Sequence, residues 1–168
     1  MFRRVAVIPA TLAGLLWTVP AWAGPWAVEV IDYEPGVGAA PGYDNPRAAL
    51  GEPSRFTPDP ESGFDSVVSV FSPPYKPAQL VSIGQGGSLT VRFEQPITDE
   101  ASHPFGVDLI IFGNAGFVLD WDRSTVSDPA ALLGAGAGRV AVSADGVRFY
   151  DIPGLLVDTL FPTQGYQD

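Results

Sequence analysis

Arg139-Val140-Ala141-Val142-Ser143-Ala144-Asp145-Gly146-Val147-Arg148-Phe149-Tyr150 decides the fold class. Two alternating β-branched runs flank Ala144-Asp145-Gly146. Asp-Gly between such runs is the strongest short-range hairpin cue, because Asp tolerates turn conformations and Gly supplies positive φ freely. The stretch predicts strands over 139–143 and 147–150, with Asp145 as a turn residue.

The same logic extends upstream. Leu89, Val91 and Phe93 alternate with Thr90, Arg92 and Glu94, the period of two of a strand with one buried and one wet face. Trp26 to Tyr33 carries Val28, Val30 and Ile31 and stops at Pro35-Gly36, which predicts a second strand. Val107 to Phe112 is apolar apart from Asp108 and predicts a central strand covered on both sides. Gly84-Gln85-Gly86-Gly87 lacks a following Lys and a helix, so it is no phosphate cradle. It reads as a hairpin turn between Leu80–Ile83 and Ser88–Phe93. Helical periodicity is nearly absent. Only Asp128-Pro129-Ala130-Ala131-Leu132-Leu133 predicts one or two helical turns, with Asp128 as cap and Pro129 in the first turn. Gly36 to Val67 and Gly113 to Gly138 read as long loops. Several strands, long loops and almost no helix predict an all-β fold, an antiparallel sandwich or barrel.

Composition removes several chemistries. The 168 residues contain no Cys and one His, so disulfides, thiolate metal sites, cysteine nucleophiles and two-histidine metal sites are excluded. The net charge of -10 argues against nucleic acid, which needs a basic footprint.

Met1-Phe2-Arg3-Arg4 is a basic start, Val5 to Val19 is mostly apolar, and Ala21-Trp22-Ala23 fits an A-x-A cleavage site. That is the plan of a secretory signal peptide, and the apolar run is short for a membrane span of about 20 residues. The expected division is a signal peptide over 1–23 and one β-sandwich domain over 24–168. Cleavage removes Arg3 and Arg4, leaving 7 basic against 19 acidic residues and a net charge of -12. The predicted location is secreted: extracellular, cell-surface or periplasmic, with no transmembrane segment in the mature chain.

Four stretches carry a resemblance: Gly42-Tyr43-Asp44-Asn45-Pro46-Arg47-Ala48-Ala49-Leu50-Gly51-Glu52-Pro53, Leu80 to Val91, Asp108-Leu109-Ile110-Ile111-Phe112-Gly113-Asn114-Ala115, and Val142 to Phe149. Together they resemble uncharacterised secreted bacterial cell-surface proteins with a discoidin or galactose-binding-like jelly-roll, which often carry a C-terminal sorting segment. The resemblance runs from about Trp26 to Tyr150. It implies a jelly-roll sandwich, and it raises the expectation of a structural calcium. The family's acidic residue between the Phe and the Asn of the third motif is Gly113 here. The tail Pro162-Thr163-Gln164-Gly165-Tyr166-Gln167-Asp168 is polar and shows no sorting signal, so the expected jelly-roll lacks its last strand or strands.

Calcium takes oxygen ligands from loop carboxylates. Asp120 and Asp122 form the tightest pair, because on an extended segment alternate side chains point to one side. Asp44 and Asp108 complete the expected metal set. Asp108 opens an apolar strand, so it needs a partner, whether Arg92, Arg139, loop amides or an ion. Trp121, between two aspartates, suits a sugar face, because aromatic stacking next to carboxylate acceptors fits sugar hydroxyls. Tyr43 and Asn114 are the other expected ligand contacts. His103 follows Ser102 in an exposed turn and lacks a nucleophile elbow, so no catalytic role is expected.

The reading is a noncatalytic secreted or cell-surface recognition or structural module, calcium-stabilised and binding a glycan or a cell-surface protein. One alternative is a secreted polysaccharide hydrolase with paired carboxylates. Another is a structural envelope component with no small-molecule ligand.

Overall fold

The computed structural model describes residues 3–9, 24–59, 62–117, 119–120, 125–126, 132–133, 136–153 and 157. Strands dominate. The helical elements among the described residues are two 3₁₀ turns, Pro46–Ala49 and Pro104–Gly106. The all-β expectation holds at that level.

The main sheet has five strands. They are β1 (Arg3–Pro9), β2 (Ala27–Glu34), β5 (Ser88–Phe93), β10 (Gly138–Val142) and β11 (Tyr150–Asp151), in the order β11-β10-β1-β5-β2. β2 runs antiparallel to β5, and β10 antiparallel to β11. β1 lies in the centre, parallel to both β5 and β10. The sheet is therefore mixed rather than wholly antiparallel. The sequence reading leaves residues 1–23 outside the folded domain, yet Arg3–Pro9 takes the middle of the sheet. Its β-branched Val5, Val7 and Ile8 give it the strand propensity to do so.

Three two-stranded pairs complete the described strands. β3 (Phe56–Pro58) pairs with β4 (Asp65–Val67), β6 (Gly116–Phe117) with β9 (Leu132–Leu133), and β7 (Leu119–Asp120) with β8 (Thr125–Val126). The helix expected over 128–133 falls mostly outside the described residues, and its last two residues are in β9. There the backbone partners Gly116–Phe117 instead of continuing a helical turn.

The alternation in β5 is used as expected: Leu89 and Val91 are buried and join Ala27 of β2 in the core cluster. Leu50, Val81 and Ile83 pack over that face from the loops. On β10, Val140 and Ala141 are both buried although adjacent, so this strand is covered on both faces.

The C-terminal hairpin forms with a shorter second strand. Ala141 faces Asp151 and Val142 faces Tyr150, and 143–149 form the connection. Asp145 is its turn residue. Its Oδ1 accepts from the amides of Val147 and Arg148, each at 2.8 Å, and Gly146 takes φ 73°.

Two expected elements are replaced. Leu80–Ile83 is not a strand, and the turn at 84–87 packs against 35–37 instead. Val37 and Gln85 exchange backbone hydrogen bonds at 2.9 and 2.8 Å, and the Gly84 amide donates to the Pro35 carbonyl. The approach is so close that a Cβ on Gly87 would lie 2.5 Å from the carbonyl oxygens of Glu34 and Pro35. Nor is Val107–Phe112 a central strand. It makes no ladder, and Val107, Ile110 and Phe112 are exposed, the last two at 59% and 54%. The reason is positional: β5 lies between β1 and β2, and β10 between β1 and β11, so neither of these two strands has an edge left for this apolar run.

Candidate functional site

The core face of β2 and β5 is not sealed. A cavity of about 1010 Å³, open to solvent, lies over it. Ala27, Leu89, Val91 and Phe93 form the floor, and the segments 47–53 and 74–83 contribute walls. Residues 107–114 line the remaining side.

The first wall forms because Asn45 caps the 3₁₀ turn: its Oδ1 accepts from the Arg47 amide at 3.2 Å, with Pro46 in the first turn. The second wall is tied through Ser82 to β2 and to the 40–43 loop. The Ser82 amide donates to the Tyr43 carbonyl at 2.7 Å, its carbonyl accepts from the Tyr33 hydroxyl at 2.7 Å, and its Oγ accepts from the Ala40 amide at 2.9 Å. The Tyr43 hydroxyl donates to the Tyr75 carbonyl, fixing both rings beside the cavity. Burial pushes the Tyr33 phenol up, and the negative charge of Asp44 adds to that.

Of the expected site residues, Tyr43, Asp108 and Asn114 line this one cavity. Asp44 is exposed beside Tyr33, off the lining. Trp121 and Asp122 lie outside the described residues, and Asp120 is placed only as a backbone position in β7.

Asp108 finds a partner, but not Arg92 or Arg139. Its Oδ1 lies 2.5 Å from His103 Nδ1 and accepts from the Glu100 amide at 3.3 Å. The His103 hydrogen bond, aided by that amide, holds its carboxyl below the usual carboxylate range. Arg92 instead pairs with Glu29, and Arg139 with Asp151 at 3.4 Å. Among the described residues no three of the His, Asp and Glu side chains come together as a cation cage. Asp44 and Asp108 therefore do not join in one with a third such side chain from those residues, and the Asp120 and Asp122 carboxylates lie outside them.

Sequence reasoning did not single out the His103–Asp108 pair or Gln79. The signal for the pair was there: the intervening Pro104 and Gly106 make the tight turn that brings a histidine and an acid five residues on into contact. Gln79 had none. It accepts from the Thr57 hydroxyl at 3.2 Å and donates to the Phe56 carbonyl at 2.7 Å, pinning β3 to the cavity wall across a long sequence gap.

No protein-family model, no curated protein and no solved structure matches this chain. Among the described residues, no helix is long and apolar enough to cross a membrane.

Proposed function

We propose that the chain is an exported, noncatalytic recognition module of jelly-roll, galactose-binding-like type, and that its cavity holds a neutral glycan. The observation that carries this is the convergence of three half-buried aromatic side chains, Trp26, Tyr43 and Tyr75, on one open cavity with Asn114. Aromatic faces stack on the apolar side of a sugar ring while an amide pairs with its hydroxyls. The net charge of -10 disfavours anionic polysaccharides.

Two features support a noncatalytic site. The carboxylates among the described lining residues, Glu52 and Asp108, are each taken up by a neighbouring side chain, Arg55 and His103. A glycosidic general acid needs its carboxyl raised, and Asp108 is shifted the other way. Calcium belongs to this reading as a loop stabiliser at Asp120 and Asp122, where two carboxylates supply hard oxygen donors.

The test is a panel of neutral and acidic oligosaccharides against the purified protein, with calcium and with EDTA. Neutral glycans bind, and Asn114→Ala and Trp26→Ala each weaken binding about tenfold, some 1.4 kcal/mol, without moving the unfolding midpoint. Calcium raises that midpoint, and Asp120→Asn with Asp122→Asn removes the rise. A protein that binds no glycan in either condition overturns the reading. Release of sugar fragments, lost in Asp108→Asn, establishes the hydrolase instead.

A further inference from the structure

The centre of the sheet and the exposed apolar run belong together. Resting on the export reading above, we propose that Arg3–Pro9 is a placeholder strand. When the leader is removed, Val107–Phe112 moves into its slot between β5 and β10 and converts the sheet to an antiparallel one.

Three observations carry this. First, β5 and β10 each run parallel to β1, and so to one another. Loss of β1 leaves two facing edges about two strand spacings apart, some 9.6 Å, a gap that admits one strand and leaves rows of unpaired amides and carbonyls if empty. Second, Val107–Phe112 lies between β5 and β10 in sequence. A chain that goes up β5, down 107–112 and up β10 is an antiparallel meander, the simplest way to fill such a gap. The segment is as long as the six-residue β5, makes no ladder and exposes Val107, Ile110 and Phe112. A place beside β10, where Val140 and Ala141 are both buried, suits this run, apolar but for Asp108, better than the surface does. Third, the leader is a poor occupant. The last residue of β1, paired with Phe93, is Pro9, which has no amide to give to the ladder of a central strand.

The move has a consequence for the cavity. Val107–Phe112 forms one side of it in the precursor, so the wall leaves when the strand inserts, and Asp108 must give up His103. The aromatic walls at Trp26, Tyr43 and Tyr75 stay, and Asn114 follows just past the new strand's end, so the open site is kept and widens on its 107–112 side.

The experiment uses the full chain with a protease site inserted between residues 9 and 24, before and after cutting and removal of the freed leader. Backbone amide exchange is read by mass spectrometry. In the uncut chain, residues 107–112 exchange quickly. After leader removal their exchange slows at least a hundredfold, while β5 and β10 stay protected. Ile110→Pro supplies the second arm. Proline removes a ladder hydrogen bond in a central strand, so it lowers the unfolding midpoint of the cut protein and leaves that of the uncut protein unchanged.

Fast exchange at 107–112 after cutting overturns the proposal, as does loss of protection in β5 and β10, or an Ile110→Pro effect equal in both forms. N-terminal sequencing of the exported protein keeps the two ideas apart. A start at Met1 defeats the export reading, while the exchange pattern of the cut chain still decides the strand replacement.

Discussion

Leu89→Ala tests where the core lies. Leu89 is 4% exposed, at the centre of the cluster with Ala27 and Val91, and it also lines the open cavity. The substitution removes three carbons, which at about 0.8 kcal/mol per buried carbon costs about 2.4 kcal/mol. In a sealed core an unfilled void adds to this, taking such changes to about 5 kcal/mol. Here the new space joins a hollow that solvent already enters, so the void term is small and the expected loss is about 2–3 kcal/mol. Val140 supplies the contrast: it is 0% exposed and off the cavity lining. Val140→Ala removes two carbons, worth about 1.6 kcal/mol, and the sealed void brings the cost to a similar 2–3 kcal/mol. Per carbon removed, Val140 therefore costs more than Leu89. Val147, which is 81% exposed, sets the baseline, and Val147→Ala stays within about 0.5 kcal/mol of wild type. Urea unfolding at 25 °C measures all three, with an unchanged denaturant slope showing that the unfolded reference is the same. A Leu89→Ala loss below about 1 kcal/mol would refute the reasoning, because a core residue cannot lose three buried carbons so cheaply.

Gly87→Ala drives a methyl against the Glu34 and Pro35 carbonyl oxygens and parts the 34–37 and 84–87 segments; the expected loss is about 1–3 kcal/mol in the same urea assay, and Gly38→Ser, whose Cβ position is open but whose φ is +76°, is the comparison for strain without contact. Asp145 is held below its usual range by the Arg148 and Val147 amides. A folded-state value below the unfolded one, about 3.9, contributes stability above that pH and loses it as pH falls through the folded value. Asp145→Asn, compared with wild type by urea unfolding at pH 5 and pH 3, therefore has a shallower loss of stability on acidification; an identical slope would show that these amides do not hold the charged form.

The legible parts of this chain were those whose information is local. Leu89, Val91 and Phe93 carry their own period of two, and Ala144-Asp145-Gly146 carries its own turn chemistry, so β5 and the turn after β10 were readable residue by residue. Strand partners are not local. Nothing in Leu80–Ile83 says that the 84–87 turn will close on 35–37, because the contact depends on glycine-enabled backbone approach far away in sequence. Val107–Phe112 shows the limit most clearly. Its apolarity suits the interior, but whether it enters depends on a place beside β5 or β10, and Arg3–Pro9 holds the place between them. The site was legible in the same uneven way. Tyr43 and Asn114 announced themselves by type, whereas the meeting of Asp108 with His103 needed the geometry of the intervening 3₁₀ turn.

The sheet's outer borders are β2 and β11. β2, one border, carries Glu29, Asp32 and Glu34 and slips register between Ala27 and Glu29 and again between Val30 and Asp32. β11, the other border, is two residues long. Acidic, bulged and very short borders are poor templates for a neighbouring molecule's backbone. Crowded copies of the chain are thereby discouraged from joining edge to edge into fibrils. Growth by sideways addition is blocked at both margins, and any change in strand number has to happen from within.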